Sequence, residues 1–190
     1  MKAHPMLDRR TFLQHTQHAA TAVALGGTAA WLPASAWGQS GPPASEAKAP
    51  PLPAEGTALN VPAITRLDGS AFTPEQARGK VLVLYWWAST CPFCALQSPE
   101  MQKLWAQHKG HGMELLALSV DRKKEDAVPY LQKRGYTFPA AWVTPGFQAA
   151  LPKPKGLPIT VVLGRDGKVL QADKGQMFPE DVEQLARYWV

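Results

Sequence analysis

Residues 81–87 read VLVLYWW, seven apolar or aromatic positions with no polar residue between them. A run this short, β-branched in part and without alternation, predicts a strand covered on both faces. Arg78-Gly79-Lys80 ahead of it reads as a turn. The same pattern returns at 113–120 (MELLALSV) and 159–163 (ITVVL), which predicts two more buried strands. Between them the periodicity lengthens. A helix is expected from Pro92 to about His108, kinked at Pro99 and ended by Gly110 and Gly112. A second is expected from Glu125 to Arg134, closed by Gly135, and an amphipathic helix from Pro179 to Tyr188. Arg165-Asp166-Gly167-Lys168 reads as a hairpin turn into a further strand at Val169-Leu170. The order β-α-β-α-β-β-α predicts an α/β fold, a central mixed sheet flanked by helices.

The first 57 residues do not fit this pattern. Arg9 and Arg10 precede Thr11, Phe12 and Leu13, and no Lys, Arg, Asp or Glu follows until Glu46. The apolar run at 19–32 is diluted by Gly26 and Gly27 and falls short of the roughly 20 residues a spanning helix needs. Ala34-Ser35-Ala36 supplies a small-x-small cleavage pattern. Residues 1–36 therefore read as a twin-arginine export signal, either cleaved or retained as an inner-membrane anchor. A Pro- and Ala-rich linker is expected at 37–57 and one folded domain at 58–190. The location implied is the periplasm. Without the first 36 residues, 17 basic and 14 acidic residues remain, a formal charge of +3. So small and scattered a bias gives no nucleic-acid footprint.

The chain has two cysteines, Cys91 and Cys94, in the stretch WWASTCPFC. A redox dithiol, half of a metal site and two inert small residues are the competing readings. In an exported protein thiols are paired or kept reduced by a partner, and a bridge across two residues closes too small a loop to serve as a staple. The predicted elements place the pair on the first turn of a helix, directly after a strand. Unpaired N–H groups there favour an anion, so Cys91 is expected as an accessible nucleophile with a lowered pKa. Cys94, one turn further in, is expected to be buried and to resolve the mixed disulfide.

Three stretches carry a resemblance: GKVLVLYWWASTCPFC at 79–94, LALSVDRKKEDAVPYLQKRGYTFP at 116–139 and GLPITVVLGRDGKVL at 156–170. With them the chain resembles the thioredoxin superfamily, specifically the exported TlpA-like and ResA-like thiol–disulfide oxidoreductases. The resemblance implies a thioredoxin-like fold and an enzyme exchanging disulfides through Cys91 and Cys94, acting as a disulfide reductase. It implies a cis Leu157-Pro158 bond beside the cysteines, with substrate backbone pairing there. Trp87, near Cys91 in the chain, is expected to shield the site and contribute to substrate binding. No cofactor is implied. The expected partners are disulfide-containing exported proteins and a membrane or periplasmic dithiol electron donor, with the protein itself a monomer.

Two positions depart from the family pattern. Tyr85 stands where thioredoxins carry a buried acid, and Gln97 where ResA-like proteins carry a glutamate. Neither side chain takes up a proton near neutral pH, and Glu100 lies past Pro99 on the predicted helix. The alternative reading is a copper- or zinc-handling thioredoxin-like module. The spacing of Cys91, Cys94, His108 and His111 approaches that of a zinc finger, but a helix over 92–108 separates the two pairs by roughly 21 Å. Thr90 abuts Cys91 instead of standing three residues before it, which argues against peroxidase chemistry.

Overall fold

A computed structural model describes residues 48–190. The expected export signal and residues 37–47 of the expected linker lie outside the described residues. Among the described residues no helix is long and apolar enough to cross a membrane.

The central sheet has five strands: β3 (Val81–Trp87), β4 (Met113–Ser119), β5 (Ala140–Trp142), β6 (Ile159–Leu163) and β7 (Val169–Lys174). Their order is β5-β4-β3-β6-β7, with β3, β4 and β5 parallel and β6 and β7 antiparallel to their neighbours. Every residue of β3 is buried, as its unalternating pattern predicts. Its side chains alternate between two cores. Val81, Val83, Tyr85 and Trp87 face one side, under helices α2 (Pro92–His108), α3 (Lys124–Arg134) and α5 (Pro179–Gln184). Leu82, Leu84 and Trp86 face the other, with Ile64 and Phe72 of a small hairpin and Phe147.

Five short elements add to the expected order. They are strands β1 (Ile64–Thr65) and β2 (Ala71–Phe72), helices α1 (Pro74–Ala77) and α4 (Pro145–Ala150), and β5 itself. The helix expected from Pro179 to Tyr188 is α5 followed by a 3₁₀ turn over Leu185–Tyr188. Helix α2 runs from Pro92 through Pro99 to His108. Helix α3 stops where Gly135 takes up the left-handed conformation, φ 67°, and returns its N–H to Gln132 and Leu131.

The last part of the expected linker lies against the domain. Lys155 donates its N–H to the Pro50 carbonyl at 3.1 Å, and Gly56 donates to Val169 at 2.8 Å. Val169 donates back to Thr57 at 2.9 Å, and Leu52 packs on the second core. Contacts therefore begin before residue 58. Composition argued for a free tether because few side chains are available to bury. Main-chain bonds to an exposed edge strand, β7, need no side chains.

Candidate active site

Strand β3 ends at Trp87, whose carbonyl accepts the Val120 N–H at 2.9 Å, and the chain turns through Ala88-Ser89-Thr90 into Cys91. Cys91 is the N-cap of α2, with extended backbone at φ −84° and ψ 114°. Its Sγ accepts the Cys94 N–H at 3.1 Å, the place where a capping side chain satisfies a free helix N–H. Pro92 occupies the first turn, where its missing N–H costs nothing. Cys91 and Cys94 form a disulfide with their Cα atoms 5.2 Å apart. The two sulfurs are not equivalent, since Cys94 is fully buried and Cys91 only partly.

The peptide bond Leu157–Pro158 is cis. The antiparallel register pairs Trp86 with Ile159, so Pro158 comes opposite the end of β3 that feeds Cys91. The Pro158 carbonyl accepts the Gly175 N–H at 2.9 Å. Leu157 is half-buried, and its main-chain N–H and carbonyl have no partner among the described residues. Phe93 and Leu96, on the first turns of α2, are more than half exposed.

Beneath the disulfide lies a buried polar layer. The Tyr85 hydroxyl donates to the Cys94 carbonyl at 3.3 Å and shares a 3.0 Å bond with Ser98 Oγ. Burial pushes its phenol well above the ordinary tyrosine range. Gln97 Nε2 donates to Thr160 Oγ1 at 2.9 Å, and its Oε1 accepts the Met177 N–H at 2.9 Å. The amide thus ties α2 to β6 and to the segment before α5. Both positions where an acid was missing from the sequence hold neutral groups with satisfied bonds. Glu100 is paired with Lys103 at 2.9 Å.

Trp87 requires a correction. It was expected near the surface, shielding the cysteines and touching substrate, but it is fully buried and packs at 5.4 Å on the Tyr130 ring. The strand is covered on both faces, and parity places Trp87, with Tyr85, in the core under α2 and α3. His108 meets the Trp189 ring edge-on at 5.5 Å, and His111 Nδ1 lies 3.3 Å from the Gln107 carbonyl. Both sit at the far end of α2 from the cysteines.

Sequence reasoning missed one group at the site, Asp121, just past the end of β4. Its Oδ1 accepts the Ser89 N–H at 2.9 Å and the Ser89 hydroxyl at 2.8 Å, and Oδ2 accepts the Ser119 hydroxyl at 2.8 Å. Its carbonyl accepts the Trp142 indole N–H at 2.8 Å. The signal available was a lone acid at the end of a buried strand, on the same end of the sheet as the cysteines.

The model of the AhpC/TSA family matches residues 52–172. This chain belongs to the AhpC/TSA family. Thiol-disulfide oxidoreductase ResA of Geobacillus kaustophilus is 29% identical over 121 residues, covering 64% of this chain and 70% of its own length. ResA of Bacillus thuringiensis subsp. konkukian is 27% identical over 124 residues, 65% of this chain and 72% of its own. Among solved structures, a candidate thiol:disulfide interchange protein DsbE from Chlorobium tepidum superposes with a TM-score of 0.62. It is 29% identical and covers 71% of this chain and 94% of its own. StoA from Bacillus subtilis, 19% identical, shares the fold with a TM-score of 0.58 over 72% of this chain and 98% of its own. The fold is thioredoxin-like, and the protein is a thiol–disulfide oxidoreductase.

Proposed function

We propose that this protein is an exported disulfide reductase in which Cys91 is the nucleophile and Cys94 the resolving thiol. The observation that carries the reading is the asymmetry of the pair: Cys91 accessible and capped by a helix N–H, Cys94 fully buried one turn behind. In the reduced protein the Cys91 thiolate attacks one sulfur of a substrate disulfide. An S–S bond forms between Cys91 and substrate, the old S–S bond breaks, and the released substrate thiolate takes up a proton. Cys94 then gives up its proton and attacks Cys91 Sγ, releasing the second substrate thiolate and leaving the Cys91–Cys94 disulfide. Two electrons pass to the substrate, and a dithiol protein of the periplasm or membrane restores them.

The main-chain N–H and carbonyl of Leu157, without a partner among the described residues, suit pairing with an extended substrate segment. Phe93 and Leu96 flank Cys91 and would be covered by any polypeptide close enough to form the mixed disulfide. Export by the twin-arginine route, with residues 1–36 as the signal and a domain working as a monomer in the periplasm, completes the reading. It rests on Arg9-Arg10 and the uncharged stretch behind them.

Trapping with Cys94→Ala tests the mechanism. The variant should accumulate mixed disulfides with exported proteins, released by dithiothreitol, while Cys91→Ala accumulates none. Equal trapping by both variants would end the assignment of roles. Changing Arg9 and Arg10 to Lys should stop export, and undiminished periplasmic protein would overturn the twin-arginine route.

A further inference from the structure

Asp121 is a nearly buried carboxylate whose two oxygens are both engaged, yet every donor that reaches them is neutral. Ser89 gives its N–H and hydroxyl, and Ser119 its hydroxyl. Among the described residues no cation lies within ion-pair distance of it. Such a charge is expensive to bury, and its retention asks for a reason. Its location suggests one, because Ser89 is two residues before Cys91, on the loop that delivers the nucleophile.

We propose that Asp121 is a positioning residue for the disulfide exchange: it pins the Ser89-Thr90 approach to Cys91, and its negative charge restrains the Cys91 thiolate. The inference rests on the reading of Cys91 as the nucleophile. The first half follows from the bonds. One carboxylate oxygen takes both the main chain and the side chain of Ser89, so the loop is fixed in position and in rotation about its backbone. Ser119 fixes the other oxygen, and the Trp142 indole holds the Asp121 carbonyl. The ends of β4 and β5 and the loop after β3 are thereby joined at one residue.

The second half follows from distance. With Oδ1 2.9 Å from the Ser89 nitrogen and two residues to Cys91, the carboxylate is no more than roughly 11 Å from the Cys91 Cα. At that separation, partly shielded from salt, like charges still repel measurably. The helix N-terminus favours the thiolate, and Asp121 opposes it. The other groups around Asp121 are few. From α3, the Tyr130 phenol is pushed up by burial, drawn down by Arg134 and pushed up again by the Asp121 charge. On the open side a cleft of about 600 Å³ is lined by Lys48, Arg122 and Lys153. Lys153 spends its ammonium on the Pro154 and Gly156 carbonyls at 2.8 and 2.9 Å.

Asp121→Asn separates the two halves. Asn Oδ1 keeps both bonds from Ser89, and Nδ2 donates to Ser119, whose hydroxyl turns to accept. The thermal midpoint should stay near that of the parent. Thiolate absorbance of the reduced protein should titrate at lower pH by roughly half to one unit. At equilibrium with glutathione the variant should hold a several-fold larger reduced fraction. Asp121→Glu, which keeps the charge but is one methylene longer and so misplaces the carboxylate for Ser89, should titrate near the parent while its insulin-disulfide reduction falls several-fold. If the Asn variant matches the parent in titration and in glutathione equilibrium, Asp121 is only structural and the proposal is overturned. Should that variant fail to fold, Ser89→Ala decides: with a donor lost, the less-screened carboxylate should move the Cys91 titration upward by a few tenths of a pH unit, and no movement overturns the proposal. A parent protein that neither reduces insulin nor is trapped by Cys94→Ala would sink the exchange reading instead, because the thiolate titrations need no substrate.

Discussion

The two faces of the central sheet are built from the same strands and differ in what they bury. On the face carrying Leu82, Leu84, Ile159, Val161 and Phe147 the core packs hydrocarbon around the Trp86 indole, with the Arg66 guanidinium over the Phe72 ring at 5.6 Å. The face under α2 buries Tyr85, Gln97, Ser98 and Thr160 within the same apolar packing, each with a hydrogen bond to another element. Burying polar groups adds little net stability even when they are satisfied. What they add here is geometry, since their partners are the Cys94 carbonyl, strand β6 two residues past Pro158, and the segment before α5. One face holds the sheet together, and the other holds the disulfide in place.

The largest effect expected on that contrast is chemical. Cys91→Ser should abolish insulin-disulfide reduction, by about three orders of magnitude or more, with the unfolding midpoint little changed, because a serine hydroxyl is not ionised near neutral pH and does not attack sulfur. Residual turnover within tenfold of the parent would remove Cys91 from the chemistry. On the hydrocarbon face the expectation reverses. Leu84 is fully buried, and Leu84→Ala should cost about 2–5 kcal/mol in urea unfolding through lost transfer energy and a cavity. Its exchange rate per folded molecule should stay within about twofold. A rate that fell with stability would mean that the two faces are not separable.

The strands and helices of the sheet were legible in the chain because their apolar runs are long enough to carry a period. Strands of two or three residues, such as Ile64–Thr65 and Ala140–Trp142, carry none. Ile64–Thr65 forms on the strand across its own tight turn, Ala71–Phe72, and Ala140–Trp142 forms because partners far away in sequence supply bonds, as when Leu67 donates to the Ala140 carbonyl at 2.7 Å. The cysteine pair and Pro158 were legible from local motifs. The orientation of Trp87 was not, because a strand covered on both faces shows no alternation to say which neighbour each residue meets. Nor were the ties of Gln97, which reach Thr160 and Met177 across 63 and 80 positions.

Those ties give the next test. Gln97→Ala removes one acceptor and one donor and leaves the Met177 N–H and the Thr160 hydroxyl buried without their partner. The cost should be roughly 2–3 kcal/mol, the penalty of stranding buried polar groups. Unlike Leu84→Ala, it should also raise hydrogen exchange locally at Met177, whose N–H loses its acceptor. If the amide at Met177 stays as protected as in the parent, Gln97 is packing alone and the polar face has no special role at that position.

The smallest effect at neutral pH, and the one that changes with pH, belongs to Tyr85. Tyr85→Phe removes a hydroxyl bonded to Ser98 and to the Cys94 carbonyl. Ser98 is four residues beyond Cys94, so its own hydroxyl is placed to turn to that carbonyl, and the loss should be only about 1 kcal/mol. In the folded protein burial holds the Tyr85 phenol protonated far above its ordinary value, whereas in the unfolded chain it ionises near pH 10. A group raised in the folded state contributes its full stability below the unfolded pKa and loses it as pH rises toward the folded one. The parent should therefore weaken above pH 10, with Tyr85 contributing a slope approaching 1.4 kcal/mol per pH unit. Tyr130 and Tyr136, also raised by burial, add to the slope in parent and variant alike. The Phe variant, lacking the Tyr85 contribution, should start slightly less stable at pH 8 and lose stability less steeply beyond pH 10, so that the two curves converge or cross. Urea unfolding at intervals from pH 8 to 11.5 reads both slopes, and parallel curves would show that the hydroxyl beneath Cys94 is not buried as the structure has it.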